Sequence, residues 1–143
     1  MQPRITVITL GVADLDRSLR FYRDGLGFRP ARASNEHITF FQAGGVVLAL
    51  YPRELLAEDA RLPDRGPPQG FSGFTLAHNV EQREQVDAVL EEIRAIGGTI
   101  LKPAEDAFWG GRSGYFADPD GYPWEVAWNP HFPMNDRGLV ELP

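Results

Sequence analysis

The chain contains no cysteine, and this absence excludes disulfides, thiolate-held metal sites, iron–sulfur clusters and cysteine nucleophiles. It also lacks any apolar run of the roughly 20 residues that a membrane-spanning helix needs. Only three histidines are present and there is no Gly-x-Ser-x-Gly motif, so a Ser-His-Asp hydrolase is not indicated. Basic charge is scarce too, because 14 lysines and arginines face 20 acidic residues. The net charge of −6 argues against nucleic acid or an anionic membrane as a partner, and we expect a cytoplasmic protein.

The 143 residues suit a single domain, in which one order of elements occurs twice. Each copy has a strand, a helix and three further strands, and a proline- and glycine-rich connector lies between the copies. Asp14 is the candidate N-cap of the first helix, and Asp118-Pro119-Asp120-Gly121 is typical of a hairpin turn. The interpretation is a first module at about 5–52, a linker at about 53–70, a second module at about 71–130 and a tail at 131–143. The predicted strands are 5–12, 28–33, 38–42 and 46–51 in the first module, and 71–80, 99–102, 111–117 and 123–129 in the second.

Two motifs in these modules belong together. The first motif, near the start of the first module, is Leu10-Gly11-Val12-Ala13-Asp14-Leu15. The second motif, near the end of the second module, is Phe116-Ala117-Asp118-Pro119-Asp120-Gly121-Tyr122-Pro123-Trp124-Glu125-Val126. With the doubled β-α-β-β-β order, they resemble the vicinal oxygen chelate superfamily, which includes glyoxalase I, extradiol dioxygenases and the fosfomycin- and bleomycin-resistance proteins. The resemblance implies an α+β fold in which two βαβββ modules form a curled mixed sheet around a central cup. In that superfamily the cup holds a divalent metal or an organic ligand.

The resemblance also implies where a metal would bind, and most of those positions carry unsuitable residues. Metal-dependent members take one His, Glu or Gln ligand from the first and one from the last strand of each module. These positions fall here at Val7, Leu48, Phe74 or Thr75, and Glu125, of which only Glu125 can bind a metal. A catalytic ion generally needs three or more protein ligands, so we expect neither a metal nor another cofactor. His78 is the one additional candidate ligand on these strands, although its parity with Leu76 and Val80 points it towards the helix.

Glu125 and aromatic residues remain as the candidate lining of the cup. The predicted ligand-binding residues are Glu125, Trp109, Phe108, Tyr115 (or its neighbour Phe116), Tyr51, Phe74 and Arg112. An aromatic cavity with one acid is typical of a small-molecule site. Three roles stay open for Glu125: a proton-transfer group, the partner of a cationic ligand, or the partner of Arg112 in an internal salt bridge.

These observations favour a metal-independent protein that binds a small aromatic or cationic molecule, and the resemblance implies sequestration of a toxic compound. It also implies a homodimer. The alternative is an enzyme, a lyase, isomerase or dioxygenase, that uses a metal held by Glu125 with His78 or Gln42, or that uses Glu125 as a base.

Overall fold

The computed structural model of the protein describes residues 1–67 and 69–142. Pro68 and Pro143, which belong to the predicted linker and tail, lie outside the described residues. The chain has an α+β fold with two open mixed sheets, of three and four strands. It divides into two compact units, Met1–Pro67 and Pro68–Pro143. In the part of the chain that the structure describes, every helix is too short or too polar to cross a membrane.

The first unit follows the predicted order with one exception. Its elements are β1 (Val7–Val12), α1 (Leu15–Leu19) with a wider π-helical continuation (Arg20–Gly25), β2 (Thr39–Ala43), β3 (Val46–Pro52) and α2 (Arg53–Asp59). The Asp14 cap is confirmed, because its carboxylate accepts a hydrogen bond of 2.9 Å from the Arg17 N–H.

The exception is the strand predicted over 28–33, which is wrong. This segment contributes a single bridge between Pro30 and Phe41, with one hydrogen bond of 2.8 Å from the Ala31 N–H to the Phe40 carbonyl. Pro30 has no N–H to donate, so a ladder cannot extend through it. The chain then turns at Asn35, whose side chain accepts hydrogen bonds from the N–H groups of His37 and Ile38.

The sheet of the first unit has the order β1-β3-β2, with β1 parallel and β2 antiparallel to β3. The face that packs on the helix carries the core of the unit. There Leu48 pairs with Phe41, and the Phe41 ring lies 6.0 Å from the fully buried ring of Tyr22. Because strand side chains alternate between faces, the opposite face carries Val7, Val47, Ala49 and Tyr51.

The second unit repeats the predicted order in full. It comprises β4 (Leu76–Asn79), α3 (Gln85–Ala95), β5 (Thr99–Asp106), β6 (Arg112–Ala117) and β7 (Pro123–Trp128), with the sheet order β4-β7-β6-β5. Only the β4–β7 pair is parallel. The predicted hairpin between β6 and β7 is confirmed, since Asp118 accepts 2.9 Å hydrogen bonds from the N–H groups of Asp120 and Tyr122. The prediction that β4 begins at residue 71 is wrong by five residues.

One face of this second sheet packs on α3. The helix buries Val86, Leu90 and Ile93, at the spacing of a single helical stripe. Gly114 of β6 lies directly under Leu90, and a Cβ at this glycine would collide with the Leu90 side chain. On the same face, the rings of Phe116 and Trp124 stack at 5.9 Å. This packing leaves the other face of the sheet for the residues described next.

Candidate functional site

Glu125 lies in the middle of the second sheet, on the face turned away from α3. Its strand, β7, runs between β4 and β6, and the register pairs Glu125 with Ala77 on one side and Tyr115 on the other. Tyr115 follows Gly114, which packs against the helix, so alternation places Tyr115 and Glu125 together on the opposite face. We call this surface the Glu125 face: Ala77, Thr99, Lys102, Glu105, Ser113, Tyr115, Ala117, Glu125 and Ala127.

Tyr115 and Glu125 lie directly opposite each other on this face. The register makes them cross-strand partners on β6 and β7, and both side chains are half-buried. Burial, followed by the charge and the hydrogen bond of Glu125, raises the pKa of Tyr115 above its ordinary value. The phenol and the carboxylate thus present a hydrogen-bond donor and an acceptor on neighbouring strands.

Small residues surround this pair. Ser113, Ala117 and Ala127 are buried, and they occupy the strand positions next to Tyr115 and Glu125 on the same face. None of these side chains extends beyond the Tyr115 ring, so the ring and the carboxylate rise above a floor of small groups. Such a floor gives a ligand access to the two polar groups without the displacement of a bulky neighbour.

Lys102 is the cation of the Glu125 face, and the sequence-based reasoning missed it. It pairs with Tyr115 across the β5–β6 ladder, and its Nζ lies 5.8 Å from the centroid of the Tyr115 ring. The same Nζ lies 3.1 Å from Oε1 of Glu105. One signal could have pointed to it, because Lys102 is the only lysine among the 14 basic residues.

Trp109 lies where β6 begins. A Cβ at Gly111 would fall inside the indole of Trp109, so the ring occupies the space on the side-chain side of this glycine. Trp109 itself is half-buried. The neighbouring Phe108, in contrast, is fully exposed.

Arg112 lies on the other face of β6, and its partners are Asp87 and Asp106 rather than Glu125. Its guanidinium forms two hydrogen bonds of 2.7 Å with Asp87 and one of 3.1 Å with Asp106. The contacts with Asp87 and Asp106 raise the pKa of Arg112. Arg112 lowers the pKa of Asp87, and Arg83, followed by Arg112, lowers the pKa of Asp106. The salt bridge between Arg112 and Glu125 that the sequence left open is therefore not formed, because Arg112 pairs with Asp87 and Asp106.

The other sequence-predicted residues lie outside the Glu125 face. Tyr51 is half-buried on the face of the first sheet that is turned away from the helix, where it pairs with Gly11. Phe74 precedes β4 and is 39% exposed. Leu48, assigned above to the last-strand ligand position of the first module, does not share a face with Val7: the register pairs Val7 with Val47, and Leu48 is buried beside Phe41 on the helix-packing face.

Comparison with known proteins places this fold in a family. The model of the Glyoxalase/Bleomycin resistance protein/Dioxygenase superfamily matches residues 4–126. The chain belongs to this superfamily. A lactoylglutathione lyase of Haemophilus influenzae is 32% identical over 115 residues, which cover 79% of this chain and 83% of the relative. Among solved structures, a glyoxalase-related enzyme from Fulvimarina pelagi is 40% identical with a TM-score of 0.88, and the match covers 98% of each chain.

A second solved member of the superfamily, a glyoxalase/bleomycin resistance protein/dioxygenase from Nocardioides, is 29% identical. Its TM-score is 0.77, and the match covers 90% of this chain and 84% of that one. The similarity thus extends over nearly the whole chain, both units included.

The residues present do not fit the metal site that the superfamily implies. The partner of Val7 on β3 is Val47, and the partner of Glu125 on β4 is Ala77. His78 pairs with Val126, so it lies on the other side of β4 from Ala77. Among residues 1–67 and 69–142, no three His, Cys, Asp or Glu side chains are grouped closely enough to hold a metal ion. Glu125 is therefore a single carboxylate ligand, whereas a divalent metal site in a protein ordinarily has three or more protein ligands.

Proposed function

We propose that this superfamily member binds a small organic molecule, aromatic or cationic, on the Glu125 face without a divalent metal, and that binding sequesters the compound. The observation that carries the proposal is the Tyr115–Glu125 pair, a half-buried carboxylate and phenol above a floor of small residues. The carboxylate orients a cationic or hydrogen-bond-donating group, and the Tyr115 ring and the Trp109 indole supply apolar contact area.

The donor set supports the metal-free part of this proposal. A divalent ion bound through Glu125 alone would take its remaining ligands from water, and such a site holds an ion weakly. The alanine and valine at the paired positions offer no electron pair. Ligand binding is therefore expected to survive dialysis against a chelator.

Ligand-observed NMR with a library of small aromatic amines, acids and neutral compounds tests the proposal. Glu125→Gln keeps the size of the side chain and removes its charge, so we expect it to weaken binding of cationic compounds about tenfold. Glu92→Gln is the matched control, because this glutamate is exposed on α3. Equal binding by Glu125→Gln and the wild type would refute the proposed site, as would stoichiometric zinc, nickel, manganese or iron that is lost in Glu125→Ala.

We also propose that the protein is a cytoplasmic homodimer. Large apolar side chains are exposed in the single chain, among them Phe71 at 76% and Phe108 at 102%, and a second copy could cover such residues. A chain without cysteine is compatible with a reducing compartment. Light scattering coupled to gel filtration gives the mass directly, and a monomer would contradict the dimer.

Catalysis with Glu125 as the base is the second candidate function. Its support is the half-buried position of the Glu125 carboxylate opposite Tyr115, and the lyase name of the Haemophilus influenzae relative. Lactoylglutathione is accordingly the first compound to assay. Turnover that Glu125→Gln abolishes while binding persists would favour the enzyme over the sequestering protein.

A further inference from the structure

Lys102 is the residue of the Glu125 face that the proposed function leaves without a role. The chain uses arginine at 13 of its 14 basic positions, and its single lysine is on this face. Residues 69–142 carry five basic and twelve acidic side chains, so an anionic group that approaches this unit meets a repulsive surrounding. Two of the other cations in this range, Arg83 and Arg112, are already paired with aspartates.

The three strands β5, β6 and β7 put Lys102, Tyr115 and Glu125 in one row across the sheet. Adjacent strands are about 4.8 Å apart, so the backbones of Lys102 and Glu125 are separated by about 10 Å. The ammonium lies 5.8 Å from the ring centroid of the tyrosine between them, and Glu125 is the direct cross-strand partner of that tyrosine. The row therefore presents one positive and one negative group on the two sides of an aromatic ring.

The present partner of Lys102 is easily exchanged. Its ion pair with Glu105 is exposed, with side-chain exposures of 36% and 60%, and such pairs contribute little to stability. The 5.8 Å contact with the ring is near the outer limit of a cation–π attraction. An ammonium carries three donors, so Lys102 can bond to an anionic oxygen of a ligand at small cost.

We propose that Lys102 is a specificity-determining residue and that the ligand is amphoteric. Its anionic oxygen bonds to the Lys102 ammonium, and its cationic or donor group bonds to Glu125, with an apolar or aromatic spacer over the small-residue floor. This proposal rests on the proposed function, because it assumes that a small molecule occupies the Glu125 face.

Three matched probes test the charge requirement: para-(aminomethyl)benzoate, which carries both charges, para-methylbenzylamine and para-methylbenzoate. We expect the wild type to bind the amphoteric probe about tenfold more tightly than either analogue, since each lacks one charge-assisted hydrogen bond. Lys102→Met should abolish the preference over the amine, and Lys102→Arg should retain most of it. Arg94→Met removes an exposed cation from α3 and is expected to leave all three affinities unchanged.

A direct readout is available because Lys102 is the only lysine. Reductive methylation with isotopically labelled formaldehyde keeps the positive charge and marks two amines, that of Lys102 and that of the N-terminus. In NMR spectra, the Lys102 methyl signal should shift with the amphoteric probe and with the acid, whereas the N-terminal signal should not move.

The outcomes separate this proposal from the proposed function. A preference for the amphoteric probe that persists in Lys102→Met overturns the role of Lys102, and so does an absence of binding by all three probes. If cationic or neutral library compounds bind in a Glu125-dependent manner while the amphoteric probe has no advantage, the proposed function stands and this inference fails. If Lys102→Met weakens binding and Glu125→Gln does not, the role of Lys102 stands and the proposed role of Glu125 fails.

Discussion

Replacement of Arg112 by methionine should destabilise the protein and leave ligand binding intact. The guanidinium, 17% exposed, connects three elements of the second unit. It bonds to Asp87 in α3, to Asp106 at the end of β5, and to the carbonyl of Ala104 at 3.1 Å. Methionine keeps the apolar stem of the side chain and removes every one of these hydrogen bonds.

The magnitude follows from the geometry of the Asp87 pair. Two parallel hydrogen bonds of 2.7 Å make it bidentate, which puts it above the ordinary exposed ion pair. The carboxylate is 51% exposed, so solvent screens part of the attraction. We expect a loss of about 1–2 kcal/mol for the pair together with the carbonyl bond. In a chain of this size the melting temperature would fall by about 2–8 °C.

Urea unfolding of wild type, Arg112→Met and Arg94→Met measures this effect. Arg94 is the matched control, because its guanidinium reaches Glu91 at 3.4 Å in an exposed pair within one helix, and we expect its loss to cost less than about 0.5 kcal/mol. A double-mutant cycle with Asp87→Asn should give a coupling energy of about 1 kcal/mol. Additive effects in the cycle, or equal stability of the two arginine variants, would refute the reasoning.

Acid provides an independent check. Arg112 lowers the pKa of Asp87 below its ordinary value of 3.8. A carboxyl group with a lowered pKa in the folded state stabilises the protein above its unfolded value, and this contribution is lost as the pH falls through the folded value. The stability difference between wild type and Arg112→Met should therefore be full at neutral pH and should shrink below about pH 4.

Three further changes probe other parts of the chain. Gly111→Ala places a Cβ in the Trp109 indole, so it should cost about 2–3 kcal/mol of stability and weaken ligand binding. In the control Gly45→Ala the new Cβ meets no atom within 4 Å, and neither stability nor binding should change. Equal unfolding curves for the two variants would contradict this. Spectrophotometric titration should show Tyr115 ionising with a pKa above 10.0, and the pKa should lie nearer to 10.0 in Glu125→Gln. Because the pKa of Tyr115 is raised in the folded state, the contribution of this phenol to stability persists below about pH 10 and is lost above the folded-state pKa. Asp64→Asn should accelerate tryptic cleavage in the connector, because Asp64 holds Arg53 at 2.8 Å; unchanged cleavage would mean that this pair does not hold the connector.

Most of the fold could be predicted from local patterns. Hydrophobic alternation and turn residues located β1, β3, β6 and β7 to within one or two residues, and Asp14 was identified as a helix cap because its role is local. The strand expected over 28–33 failed for a non-local reason. Whether an extended segment becomes a strand depends on a partner strand, and a proline in the segment leaves one bridge where a ladder was expected.

The candidate site was only half predictable, and the reason is register. Glu125 could be proposed because it is an acid inside an otherwise apolar strand, which the sequence pattern shows directly. Arg112 was assigned to the same site, yet it lies three residues from Tyr115, and an odd separation along a strand places two side chains on opposite faces.

Lys102 was missed because its membership of the site depends on the β5–β6 pairing, which passes through two irregularities between residues 100 and 105. Alternation along β5 alone therefore does not identify the residue opposite Tyr115, and the ladder does: it places Lys102 there, one strand further from Glu125 than the tyrosine. The charges that would select a ligand thus depend on strand pairing, whereas the carboxylate that would anchor it is visible in a single strand.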